Sequence, residues 1–253
     1  MVDFTRRTIL QLVAGATPFA ALPVFAGQAR IDKLIVDAQT QSGMSQRIDF
    51  ISRALLGTGY EAYTLIGGPR RPEKFVVRDD AFDCVTFCET VLAGAMSRAP
   101  DEFAENLRAI RYHDGVVAWP ERNHYFFEWG QHNIENNMCR PVAMDGAVEI
   151  EKTVYWHKAL GRRTFAMQVI PRAVFLDNVA LLQTGDIIGF VTERPNLDFF
   201  HIGFVAFGED GKFLLRHAAK SRGEVVDDRM ARFVAHNHVR YVTLLRPQEA
   251  LTT

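Results

Sequence analysis

The sequence has almost no charge imbalance: 29 Lys and Arg stand against 30 Asp and Glu, a formal net charge of −1. That removes the electrostatic basis for a nucleic-acid partner, which needs clustered positive charge. There are no internal repeats and no low-complexity tract, so neither a solenoid nor a disordered tail organises the chain. Beyond the N-terminus no apolar run is long enough to span a bilayer, and no stable membrane insertion is expected of the mature protein. Cysteine is scarce. Cys84, Cys88 and Cys139 cannot all pair within one chain, so at least one thiol is left over.

What is present is an ordinary globular composition, 48% hydrophobic and 23% charged over 253 residues. This is enough for one large domain. At the N-terminus Arg6-Arg7 precedes an apolar run through Val13 to Phe25, ending in Val24-Phe25-Ala26. A basic start, a short apolar core and a small-residue exit make an export signal, and the arginine pair points to the twin-arginine route. Residues 1–29 are therefore expected to be removed. Residues 30–253 are expected to form a single domain working in the periplasm or beyond. In an oxidising compartment a leftover thiol is a liability unless it does chemistry.

Residues 30–56 carry Ile31, Leu34, Ile35, Ile48, Ile51 and Leu55 at helical intervals, with a polar break at 39–43. Gly67-Gly68-Pro69 reads as a turn. Residues 82–98 read as a helix with Val85, Cys88, Val91, Leu92, Ala95 and Met96 on one stripe and Asp83 as N-cap. A second helix is expected over Asp101–Ile110. Residues 111–140, rich in His, Asn and aromatics, read as too polar for core and too aromatic for a linker, hence a functional surface. From Gly185 the pattern changes to strands at 186–192, 199–207, 212–218 and 240–245, with a turn at Gly208–Gly211. Helices followed by an antiparallel sheet make an α+β fold.

Cys84 falls in the first turn of its helix, where free N–H groups and the helix dipole favour a thiolate. A cysteine nucleophile also needs a base and a group that orients the base. The strand pair carries one histidine on each arm, His201 and His217. A three-residue loop at Gly208–Asp210 sets His201 opposite His217, and a four-residue loop moves His217 off by one. Cys88, one turn after Cys84, reads as core packing, while Cys139 either pairs with Cys88 or stays free. His113, His124 and His132 lie near Asp114, Glu121 and Glu128, which raises a zinc hydrolase as an alternative, but their spacing matches no compact zinc motif. Trp119, Tyr125, Phe126, Phe127 and Trp129, with Arg122 among them, either wall a sugar site or cover the core.

Together these residues resemble a family. Phe82-Asp83-Cys84-Val85-Thr86-Phe87, Gly185-Asp186-Ile187-Ile188, His201-Ile202-Gly203-Phe204 and Leu215-Arg216-His217-Ala218 resemble, in this order, the motifs of NlpC-type papain-like enzymes. Leu56-Gly57-Thr58-Gly59-Tyr60, Arg122-Asn123-His124-Tyr125-Phe126 and Leu197-Asp198 are similar to the N-acetylmuramoyl-L-alanine amidase-like branch. The resemblance implies a papain-like α+β core, a nucleophile helix on an antiparallel sheet with added helices. It implies Cys84 as nucleophile, His201 as general base and His217 as its orienting partner, with no metal or cofactor. Arg122, His124 and Asp198 follow as candidate substrate contacts, joined by Asp83, Tyr125 and Trp129. The implied reaction is cleavage of the muramoyl–L-alanine amide of anhydro-muropeptides by a monomeric enzyme. An endopeptidase of the stem peptide and a non-catalytic wall-binding protein stand as alternatives. Cys88 and Arg216 depart from the apolar residues usual at their positions.

Overall fold

The computed structural model describes residues 24–25 and 28–249. The expected export signal, residues 1–29, lies almost wholly outside the described residues. Helix α1 (Ala29–Ala38) buries Ile31, Leu34, Ile35 and Ala38, and α2 (Met44–Ala54) buries Met44, Ile48, Ile51 and Ser52, each set on one helical face. Both pack on α3 (Cys84–Met96), whose residues Thr86 to Ala95 are all buried. Such a helix has no solvent face, because other elements surround it. Gly94 lets the neighbouring helices close in: a Cβ there would lie 3.3 Å from Ile51 and 3.4 Å from Ile31. Helices α4 (Phe103–Arg111) and α5 (Phe126–Glu135) follow, then α6 (Arg172–Asp177) and α7 (Met230–His236).

The main sheet has ten strands: β1 (Gly59–Tyr60), β2 (Ala81–Phe82), β3 (Cys139–Pro141), β4 (Val148–Val154), β5 (Arg163–Pro171), β6 (Ile187–Val191), β7 (Phe199–Phe207), β8 (Phe213–Ala219), β9 (Glu224–Arg229) and β10 (Tyr241–Pro247). Their order is β2-β1-β9-β8-β7-β6-β10-β5-β4, with β3 on β10. Only β1 and β2 run parallel; the other pairs are antiparallel. Strand alternation divides the core. Ile187, Ile202, Phe204, Ala218 and Val225 join the α1–α3 side. Ile188, Phe190, Val205 and Leu215 join α6 and α7 on the other. The architecture is the expected α+β one, with α3 packed on an antiparallel sheet and helices added around it. Among the described residues no helix is long and apolar enough to cross a membrane.

Three readings change. Residues 126–135 form a helix that buries Trp129, Gly130, His132 and Asn133, so this stretch is core as well as surface. Asn133 Nδ2 donates to the Trp129 carbonyl at 2.7 Å and His132 Nε2 lies 2.8 Å from the Ala109 carbonyl, while Asn133 Oδ1 and Trp129 Nε1 are buried without a partner. The hairpin β4–β5 and the pair β9–α7 had no counterpart in the expected layout. The β7–β8 loop spans residues 208–212, because Phe207 pairs with Phe213. His201 therefore does not face His217 directly across the ladder. The two-residue slip preserves alternation, so both histidines still share a face.

Candidate active site

The front of α3 is built by Asp83. Its backbone is extended, its carboxylate accepts the N–H groups of Val85 (3.1 Å) and Thr86 (2.8 Å), and its own N–H donates to Thr86 Oγ1 at 2.9 Å. This reciprocal capping box fixes Cys84 as the first helical residue. Asp83 thus spends one carboxylate oxygen on the cap rather than presenting it to a ligand.

The β7–β8 ladder ends at Phe204↔Arg216. Beyond it the N–H groups of Ile202, Cys84 and Val85 lie near the Cys84 sulfur and favour its thiolate. Cys84 is partly exposed, with its sulfur set among many protein atoms. Burial, and then the Asp83 carboxylate, push the thiol up to about 12 against these three donors. The thiolate expected from the helix start is therefore not the resting form: desolvation outweighs the dipole. Tyr60 on β1 stands close by, its phenol raised by burial and then by the charges of Cys84 and Asp83. The pairing of Tyr60 with Phe82 brings it there.

His201 follows from β7 and His217 from β8. His201 Nε2 lies 2.6 Å from His217 Nδ1, with ring centroids 4.7 Å apart and planes at 85°. They meet diagonally, over Gly203. A Cβ on Gly203 would lie 2.8 Å from the Arg216 carbonyl oxygen and 2.9 Å from the Cβ of His217. Burial, then His217, lower His201 to about 3, and burial lowers His217 against the pull of Asp228. Phe233 of α7 packs on both rings at 5.5 and 5.4 Å, and Phe190 stacks on His201 at 6.3 Å. The pair is thus neutral, with His217 buried and His201 half-buried. With Nε2 of His201 engaged by His217, its Nδ1 is the nitrogen left to take a proton.

The other expected contacts have internal work. Arg122 makes a two-point ion pair with buried Glu73, at 2.9 and 2.6 Å, and Tyr112 donates to the same carboxylate. His124 lies 2.7 Å from the Trp119 carbonyl between Trp119 and Trp156, and burial lowers it to about 4. Tyr125 is 1% exposed and its hydroxyl accepts the Trp156 N–H. Trp129 is 1% exposed and stacks on Phe126. Asp198 is buried, which raises its carboxyl, and it accepts the N–H groups of Phe127 and Phe199, capping α5 from a distant loop. Tyr125, Trp129 and Asp198 are thus buried within the protein, Tyr125 and Asp198 held there by hydrogen bonds. All three cysteines are free, with Cys88 and Cys139 buried in the α1–α3 core. Among the described residues no group of three His, Cys, Asp or Glu side chains is placed to hold a metal ion: the rings of His113 and His132 lie 5.4 Å apart, and His124 packs between Trp119 and Trp156.

Sequence reasoning missed Asp228, whose Oδ2 lies 3.2 Å from His217 Nε2. Its signal was the strand Val225-Val226-Asp227-Asp228 after the Gly223 turn, a hairpin return from His217. It also missed Phe233 and Glu73.

An N-acetylmuramoyl-L-alanine amidase from Bacteroides uniformis is similar at 23% identity, with a TM-score of 0.71 over 80% of this chain and 99% of that one. A Legionella pneumophila protein is similar at 22% identity, with a TM-score of 0.75 over 88% and 95%. These likenesses show the fold. No curated protein matches the chain. The family model described as N-acetylmuramoyl-L-alanine amidase-like matches residues 50–241, a span that holds Cys84, His201, His217 and Asp228. The chain belongs to the N-acetylmuramoyl-L-alanine amidase-like family, the peptidoglycan amidases that its motifs resemble.

Proposed function

We propose that this protein is a cysteine amidase that hydrolyses the muramoyl–L-alanine amide of anhydro-muropeptides after export to the periplasm. The observation that carries this reading is the Cys84 sulfur at the backbone N–H of Ile202, the residue next to His201, which is itself hydrogen-bonded to a second histidine. His201 Nδ1 takes the thiol proton as Cys84 attacks the amide carbonyl, so charge separates only in the transition state. The N–H groups of Cys84 and Ile202, with the Tyr60 hydroxyl nearby, are the donors available to the developing oxyanion. His201 returns the proton to the leaving amine of L-alanine. Water then attacks the muramoyl thioester, His201 again taking the proton, and the carboxylate product leaves. His217 holds the His201 ring throughout.

The test is mass spectrometry of the products from a defined anhydro-muropeptide. The reading predicts free anhydro-muramic acid product and a peptide beginning with L-alanine. Fragments cut within the stem peptide would replace it with an endopeptidase.

A further inference from the structure

We infer that Asp228 is a positioning residue: through His217 it determines which nitrogen of His201 faces the nucleophile with a free lone pair. The inference rests on the assignment of Cys84 and His201 above.

Two adjacent aspartates, Asp227 and Asp228, stand just before the last residue of β9, and alternation sends them to opposite faces. Asp227 is paired across the ladder with Arg216 and is held by it at 2.8 Å through both carboxylate oxygens. Arg216 thereby has a reason to stand where an apolar residue was expected: it occupies Asp227 and also binds Asp49 at 2.8 Å. Asp228 is left for the other face, the face of His217, because His217 pairs with Val226 two residues before it.

Tautomers follow from the donor inventory. A carboxylate accepts and does not donate, so His217 Nε2, 3.2 Å from Asp228 Oδ2, carries its proton. A neutral imidazole has one N–H, so His217 Nδ1 is an acceptor. His201 Nε2, 2.6 Å away, must then donate to it. The only proton of His201 is thus on Nε2, and Nδ1 is the base. Without the carboxylate, the opposite polarity, with His217 donating and His201 Nδ1 protonated, becomes accessible, and that form cannot accept a proton from Cys84.

The groups facing this pair are few. β9 supplies Asp228, with Asp227 acting from the opposite face, and the turn before it supplies Arg222, which sits 3.6 Å from Asp228 Oδ1. Helix α7 presents Phe233 and β6 presents Phe190, neither of which titrates. Arg222 uses the carboxylate oxygen that His217 does not.

The experiment uses the full chain labelled with 15N-histidine, together with D228N and D228A. In the wild type at neutral pH, the ring nitrogens of both His201 and His217 should report protonated Nε2 and bare Nδ1. D228N, whose amide can donate or accept, should show mixed tautomers. Its kcat should fall on the order of 10- to 100-fold, with KM held within roughly twofold. The acid limb of its kcat/KM profile should move to lower pH, since the carboxylate that favours imidazolium is gone. Added formate should restore part of the D228A activity. A protonated Nδ1 on His217 in the wild type, or a D228N enzyme with unchanged kcat and pH profile, overturns the proposal. Should D228N not fold, the wild-type tautomers alone decide. Those tautomers are read without substrate, so this result stands apart from whether the muramoyl amide is the bond cut.

Discussion

Gly203 and His217 stand so close that a Cβ on the glycine would lie 2.9 Å from the Cβ of the histidine. The glycine is what allows the two imidazoles to meet diagonally. Gly203→Ala should therefore push β7 and β8 apart, costing about 1–3 kcal/mol of stability. Turnover should fall further than stability accounts for. Thermal unfolding and kcat, measured on the same preparation, check this; an alanine variant with unchanged kcat would contradict it.

Cys84 is raised to about 12 and His201 is lowered to about 3, so the resting pair is thiol and neutral imidazole rather than an ion pair. Alkylation of Cys84 by iodoacetamide should rise steadily as pH increases through 9, without a plateau between pH 5 and 8. Such a plateau would mean that the thiolate is already present at rest.

Acid should destabilise the fold early. His201, His217 and His124 are all lowered from the ordinary histidine value, chiefly by burial. Below pH ~6.5 the unfolded chain binds protons that the folded chain refuses, so stability present above that pH is lost as pH falls. The slope reaches about 1.4 kcal/mol per pH unit for each histidine. Asp198 and Glu89 are raised by burial and act in the opposite direction over their own range. Urea midpoints from pH 7 to pH 4 should fall, and His124→Phe should flatten the slope. A midpoint independent of pH over that range is incompatible with buried neutral histidines.

Glu89 and Arg111 form an ion pair in which each side chain is only 3% exposed, at 2.8 Å, tying the nucleophile helix to α4. Arg111 also donates to the Val76 carbonyl. Glu89→Ala leaves a buried guanidinium unpaired and should cost about 3–5 kcal/mol. Replacing both residues by methionine should recover much of that loss. Equal losses in the single and double variants would count against a buried, coupled pair.

The nucleophile helix and the histidine strands were legible because their signals are local: a cap, an apolar stripe, alternation around one turn. The register was not, because loop length sets it and the Gly208–Lys212 stretch fits several lengths. The burial of Tyr125 and Asp198 was hidden for a different reason. Their polar atoms find partners far along the chain, Asp198 with Phe127 and the Tyr125 hydroxyl with Trp156, and composition alone reads such residues as surface. Asp228 was invisible until the β8–β9 pairing set it diagonally across from His217.

The central claim is covalent catalysis by Cys84. Rapid-quench intact-mass measurement with anhydro-muropeptide tests it most directly. The account predicts a transient anhydro-muramoyl adduct mapped to the Cys84 peptide, with adduct and product both absent in Cys84→Ala and greatly diminished in His201→Ala. Undiminished product release from Cys84→Ala would contradict it.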